Sequence, residues 1–138
     1  MKKNNVKKIY IDRIKSRGSY LDIFELGKLK IKRIFSISGV KKNMTRGYHA
    51  HKYDTQIITV PYGKIKFKTF DGKRTKSFLI NKSNIAIIVK PYVWTETTYL
   101  KKNTIVTVYS SHSYNEKSYI RSIDEFKKII RVKNHSKH

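Results

Sequence analysis

Apolar and polar residues trade places every second position through much of this chain. Residues 64–70, KIKFKTF, show it most plainly, with Ile65 and Phe67 set between Lys64, Lys66 and Lys68. That is the period of a strand with one solvated face. Residues 29–37, LKIKRIFSI, alternate in the same way, and residues 6–14, VKKIYIDRI, read as a first strand. Arg17-Gly18-Ser19 predicts a turn into a short strand over 20–25, and Asp71-Gly72 predicts a hairpin whose return strand is 75–80. The continuously apolar run 85–89 suits a buried strand, and 104–109, TIVTVY, supplies another. Only the end changes period. From Ser122, an N-cap residue, Ile123, Phe126, Ile129 and Ile130 follow at helical spacing with Asp124 and Glu125 in the first turn. Residues 133–138 are expected to fray. Many short strands closed by one short helix predict an all-β, antiparallel barrel or sandwich, organised as one domain over residues 1–138.

Two of the five histidines, His49 and His51, fall within RGYHAHKYDTQIITVPYG, residues 46–63. On a strand, residues two apart share a face, so the imidazoles project together. Ile57, Ile58 and Val60 are expected to continue that strand to a turn at Pro61-Tyr62-Gly63. A pair of neutral imidazoles facing one cavity can hold a metal or move protons. The spacing HxH, four residues, Gln56, six residues, Gly63 resembles the first motif of the cupin barrels. In metal-binding cupins the position of Gln56 is a glutamate, and an amide lacks the anionic oxygen a divalent cation favours. Those cupins also take a histidine from a later strand, where residues 90–96 read KPYVWTE. Glu96 is the one remaining oxygen donor there. The expectation is a barrel with neither metal nor cofactor.

The formal charge of +23 over 138 residues bears on partners. Phosphate neutralisation by a nucleic-acid-binding protein would use such a surplus. The lysines, however, are spread along the whole chain, and a positive field suits a small diphosphate-bearing substrate equally. A nucleic-acid partner is therefore not expected. With no cysteine, disulfides and thiolate metal sites are excluded. No run approaches the length of a membrane span, and the basic N-terminus has no sustained apolar core or cleavage site. A cytoplasmic protein without membrane contact is expected.

Ordered motifs then cover nearly the whole chain. They are Arg17-Gly18-Ser19, Ile31-Lys32-Arg33, Arg46-Gly47-Tyr48-His49-Ala50-His51-Lys52 with Gln56, Asp71-Gly72, Pro91 with Val93-Trp94, Ser111, residues 114–121 reading YNEKSYIR, and Phe126. In this order they resemble the dTDP-4-keto-6-deoxyglucose 3,4-ketoisomerases, a family of cupin-type sugar isomerases. The resemblance implies a homodimeric, metal-independent jelly roll that moves the ketone of a dTDP-sugar from carbon 4 to carbon 3. Such products feed the biosynthesis of 3-amino-3,6-dideoxy sugars. The chain departs from the family pattern at Thr95, where a histidine is frequent, at Phe35 and Ser36, where tyrosines are frequent, and at Asn115 and Ser118, where aspartate is usual.

That reaction needs proton transfer between neighbouring carbons and oxygens, and histidine does this near neutrality because its ordinary pKa is about 6.5. The expected catalytic pair is His49 and His51, with His51 as the carbon base. Arg33 and Arg46, with Arg17 and Lys52 as weaker candidates, offer guanidinium and ammonium groups to a diphosphate. Gln56, Trp94 and Arg121 complete the expected substrate contacts. Trp94 and Tyr92 are candidates to stack on a base or sugar, and Arg121 with Tyr114 and Glu116 is alternatively a clasp for the C-terminal segment. His112, His135 and His138 are read as surface residues. Two other readings share the barrel, a nucleotide-sugar epimerase and a metal-dependent cupin enzyme. A basic nucleic-acid-binding barrel is the non-enzymatic alternative.

Overall fold

The computed structural model describes residues 5–135. Two five-stranded antiparallel sheets face each other. One has the order β1-β9-β6-β11-β4 and the other β12-β5-β10-β7-β8. In the first, β1 is Val6–Tyr10, β4 Arg33–Ile37, β6 Gln56–Tyr62, β9 Ile85–Val89 and β11 Ile105–Ser110. In the second, β5 is Thr45–His51, β7 Ile65–Phe70, β8 Thr75–Ile80, β10 Trp94–Tyr99 and β12 Tyr119–Ile120. A separate ribbon pairs β2, Asp12–Ser16, with β3, Ser19–Ile23, and α1, Ile123–His135, follows the last strand. The fold is the antiparallel jelly roll expected.

Period-two patterning places the core. Ile65 and Phe67 of β7, Ile58 and Val60 of β6, and Val106 and Val108 of β11 all turn inward and are buried between the sheets. The lysines between them stay in water. A second, smaller cluster lies outside the second sheet, where Phe126 of α1 covers Trp94, Ala50 and Ile120. The Ser122 hydroxyl accepts from the Glu125 amide at 3.2 Å and so caps α1 as expected.

Several boundaries differ from the sequence reading. The first predicted strand is two, β1 and β2, because the Ile11 amide donates to the Asn84 carbonyl at 2.7 Å and the chain leaves the sheet there. The predicted strand over 29–37 is paired only from Arg33, and that over 20–25 is paired from Ser19 to Ile23. The strand expected to run on past the histidines is also two. Residues 52–55 cross from the second sheet to the first, so β5 and β6 belong to opposite walls. β6 runs on past a register shift at Val60 and Pro61 to Tyr62, which pairs with Ile105, and the turn is made at Gly63. That glycine has φ +102°, and a β-carbon on it would collide with Thr104. β10 carries no local strand signal, since WTETTY has no apolar alternation. The fraying expected over 133–138 does not occur at 133–135, where α1 continues to His135. Residues 136–138, His138 among them, lie outside the described residues.

Candidate active site

β5 carries the two histidines on the wall that faces β6. Simple alternation would place Arg46 on the face opposite to both, but the ladder contains a bulge. Thr95 pairs with His49, Glu96 with Gly47 and Thr97 with Arg46, leaving Tyr48 as the extra residue, with φ +55°. Thr95 and Thr97 share a face, so Arg46 and His49 do too. Gly47 makes the bulge feasible. Its φ is +102°, and a β-carbon there would press on the Thr95 carbonyl at 3.0 Å.

The rings of His49 and His51 meet edge to face with centroids 4.9 Å apart. His49 Nδ1 lies 3.0 Å from the Gly47 carbonyl. A carbonyl only accepts, so Nδ1 carries the proton and Nε2 presents a lone pair. His51 is 7% exposed, and neither of its ring nitrogens is hydrogen-bonded among the described residues. Burial pushes the His51 pKa down to about 4. His49 beside it adds to that shift, the Asp54 carboxylate opposes it, and Arg33 and Arg121 reinforce it. Burial also lowers His49, against the Gly47 carbonyl, with Arg121 lowering and Glu116 raising it. Both imidazoles are therefore neutral at pH 7.

Facing them, Arg33, Ser110 and Gln56 stand side by side across three strands of the first sheet, in direct register on β4, β11 and β6. Gln56 is buried, with its amide nitrogen unbonded among the described residues. Asp54, on the crossing segment, is 3% exposed, and no local sequence pattern marks it as a site residue. Its Oδ2 accepts from Arg33 Nη2 at 3.1 Å and from the Ser110 hydroxyl at 2.9 Å. The same oxygen is 3.7 Å from His51 Nδ1. His112, read as a surface residue without a partner, has Nδ1 2.8 Å from the Ser111 hydroxyl and 3.9 Å from Asp54 Oδ1.

The C-terminal segment closes the other side. Tyr119 contacts both imidazoles, with centroids 4.3 Å from His51 and 5.2 Å from His49. The Arg121 guanidinium lies over Tyr119 at 4.4 Å and donates twice to Glu116, at 2.6 and 3.0 Å. With a further bond from Tyr114, these hold the Glu116 carboxyl at about 2. Arg121 thus combines the expected clasp with a position beside the histidines.

Two expected substrate contacts are not brought to this place. Trp94 turns to the outer face of the second sheet, where its indole nitrogen donates to Glu96 at 3.0 Å and its ring packs 6.0 Å from Phe126. The cause is period: Trp94 pairs with Phe70 under α1, while Thr95, next in sequence, faces inward beside His49. Arg17 sits in the exposed turn of the β2–β3 ribbon, in a separate sheet. Lys52 follows β5 directly, and its amide donates to the Ser118 carbonyl at 2.8 Å.

A divalent cation fits this donor set poorly. Among the described residues no three histidine, aspartate or glutamate side chains gather as metal ligands. Glu96 lies on the outer face with Trp94, and the amide of Gln56 supplies no charge.

Comparison with known proteins agrees with this architecture. Residues 4–131 match the family model described as FdtA: WxcM-like, C-terminal. A TDP-4-oxo-6-deoxy-alpha-D-glucose-3,4-oxoisomerase from Aneurinibacillus thermoaerophilus is 34% identical over 128 residues, covering 91% of this chain and 89% of the relative. A 3,4-ketoisomerase from Helicobacter canadensis superposes with TM-score 0.87 at 30% identity, over 92% of this chain and 98% of the other. The sugar 3,4-ketoisomerase QdtA from Thermoanaerobacterium thermosaccharolyticum, solved in complex with TDP, gives 0.87 at 28% identity, over 94% and 97%. The chain belongs to the WxcM-like, C-terminal family, that of the TDP-sugar 3,4-ketoisomerases.

Proposed function

We propose that this protein converts a TDP-linked 4-keto-6-deoxyhexose into its 3-keto isomer by proton transfer between His49 and His51, without a metal. The observation that carries the reading is the pair of neutral, half-buried to buried imidazoles in contact on one strand. The ketone at carbon 4 acidifies the proton at carbon 3. His51 takes that proton through Nε2, and the electron pair moves into an enediolate across carbons 3 and 4. His49, with its Nε2 lone pair, moves a proton between the two oxygens, and a proton returned to carbon 4 leaves the ketone at carbon 3. No atom is gained or lost. Arg46, on the same face as His49, and Arg121 bind the diphosphate, with Lys52 at the margin, while Gln56 donates its free amide to the sugar. Arg33 is tied to Asp54 and acts on the site through it.

The natural assembly is a homodimer, supported by the ribbon's inverted faces. Ile14, Leu21 and Ile23 share one face and are exposed, while Arg13 and Asp22 on the other pair with each other and with Ser83 of the barrel. A two-stranded ribbon with its apolar face outward is covered by a second copy. Leu21→Glu would yield a monomer by light scattering. Among the described residues no helix is long and apolar enough to cross a membrane, and we place the enzyme in the cytoplasm with its nucleotide-sugar substrate.

Proton NMR of TDP-4-keto-6-deoxyglucose incubated with the protein in deuterated water tests the activity. A 3-keto sugar with deuterium at carbon 4, formed in excess chelator and lost in His51→Ala, supports the reading. Deuterium at carbon 3 or 5 with the 4-ketone retained would instead mark an epimerase. No exchange at all would reject the substrate.

A further inference from the structure

We infer that Asp54 is the positioning residue of this site, a buried carboxylate that fixes the tautomer of His51 and steadies the imidazolium it forms. The inference rests on the isomerase reading for its kinetic consequences, but its structural part stands on geometry alone.

Asp54 lies on the segment that crosses between the two walls, and four parts of the chain converge on it. Arg33 comes from β4, Ser110 from β11, Ser118 from the short helical turn before β12, and His51 from β5. Three of these are donors at 3.1, 2.9 and 3.5 Å, which fix the carboxylate in place. His51 Nδ1, at 3.7 Å, is beyond hydrogen-bond reach, so the coupling is electrostatic. A carboxylate repels a lone pair and attracts an N–H, so Nδ1 keeps the proton and Nε2 is left as the base. When Nε2 takes a proton from carbon 3, the new positive charge is already faced by a fixed anion. The carboxylate of a hydrolase triad has the same effect through a direct hydrogen bond, while Asp54 exerts it through space, and here both imidazoles acquire the same Nδ1–H form by different means. The backbone carbonyl of Gly47 sets His49, and Asp54 sets His51. His112 Nδ1, 3.9 Å from the other carboxylate oxygen, adds a second imidazole whose charge would weaken the hold on His51. The charged or titratable groups that face His51 are thus His49, Asp54, Arg33 and Arg121, with Tyr119 stacked on its ring.

The first measurement is a long-range nitrogen–proton correlation spectrum of the wild-type protein at pH 7, with the His51 signals assigned by their loss in His51→Asn. The Nδ1–H form is expected to dominate; a dominant Nε2–H form would overturn the inference, and neither result depends on turnover. The second is Asp54→Asn, which keeps the shape and still accepts from Ser110. It is expected to lower kcat by on the order of 10²-fold with KM little changed, to mix the His51 tautomers, and to move the acid limb of kcat/KM to lower pH. An Asp54→Asn protein with a wild-type limb and an unmixed tautomer would also overturn it. If the wild type shows the Nδ1–H form but leaves the sugar unchanged, the tautomer assignment stands and the isomerase reading fails.

Discussion

Tyr119 lies directly across the β5–β12 ladder from His51, with its ring 4.3 Å from the imidazole and 5.2 Å from that of His49. One aromatic ring thus shields both histidines from water on the C-terminal side. Tyr119→Ala should let water reach them and raise both pKa values toward 6.5, moving the acid limb of kcat/KM upward. Tyr119→Phe should keep the wild-type limb. Parallel pH–rate profiles of the two variants check this, and equal limbs would show that the ring is not what keeps the imidazoles dry.

The depressed His51 pKa has opposite-sounding but consistent effects on activity and stability. The base remains neutral until pH approaches 4, so kcat/KM should hold well below pH 6.5, where an ordinary histidine would already be half protonated. The unfolded chain takes up its proton near 6.5 while the folded one does not. Stability is therefore complete above 6.5 and declines as pH falls from there toward 4. Urea unfolding at pH 7, 6 and 5 should show the decline, and His51→Asn should flatten it.

Trp94 anchors α1 and does not face the histidines. Trp94→Ala should cost about 3–5 kcal/mol as a large cavity opens under the helix. Trp94→Phe should cost less and leave KM for the sugar nucleotide unchanged, because the ring packs under α1 and away from the histidines. A tenfold rise in KM in a folded Trp94→Phe protein would return the indole to the substrate side.

Gly63 holds a backbone that side chains rarely adopt, and it abuts Thr104, whose hydroxyl accepts from the Lys64 amide and donates to the Lys101 carbonyl. Gly63→Ala adds backbone strain to a collision with this turn. It should destabilise by about 2–4 kcal/mol, seen as a Tm roughly 10 °C lower. The active site lies at the other end of β6, so kcat measured well below that Tm should be unchanged.

What could be read from the residues alone was whatever neighbours in sequence decide. Alternation set β7, the Asp71-Gly72 hairpin set β8, the apolar run 85–89 set β9 and TIVTVY set β11, the change of period set α1, and HxH on one strand put His49 and His51 side by side. The ordered motifs then carried the family. The tertiary structure decided which distant groups meet. Asp54 joins Arg33 and Ser110, 21 and 56 residues away, because a jelly roll pairs strands out of sequence order, and no local pattern records that pairing. The bulge at Tyr48 turns Arg46 to the histidine face, whereas uninterrupted alternation would have turned it away. Trp94 and Thr95 divide between helix and cavity by one step of the pleat. The faces of β10 follow from its register against β5 and β7, and that register is a property of the packed sheet.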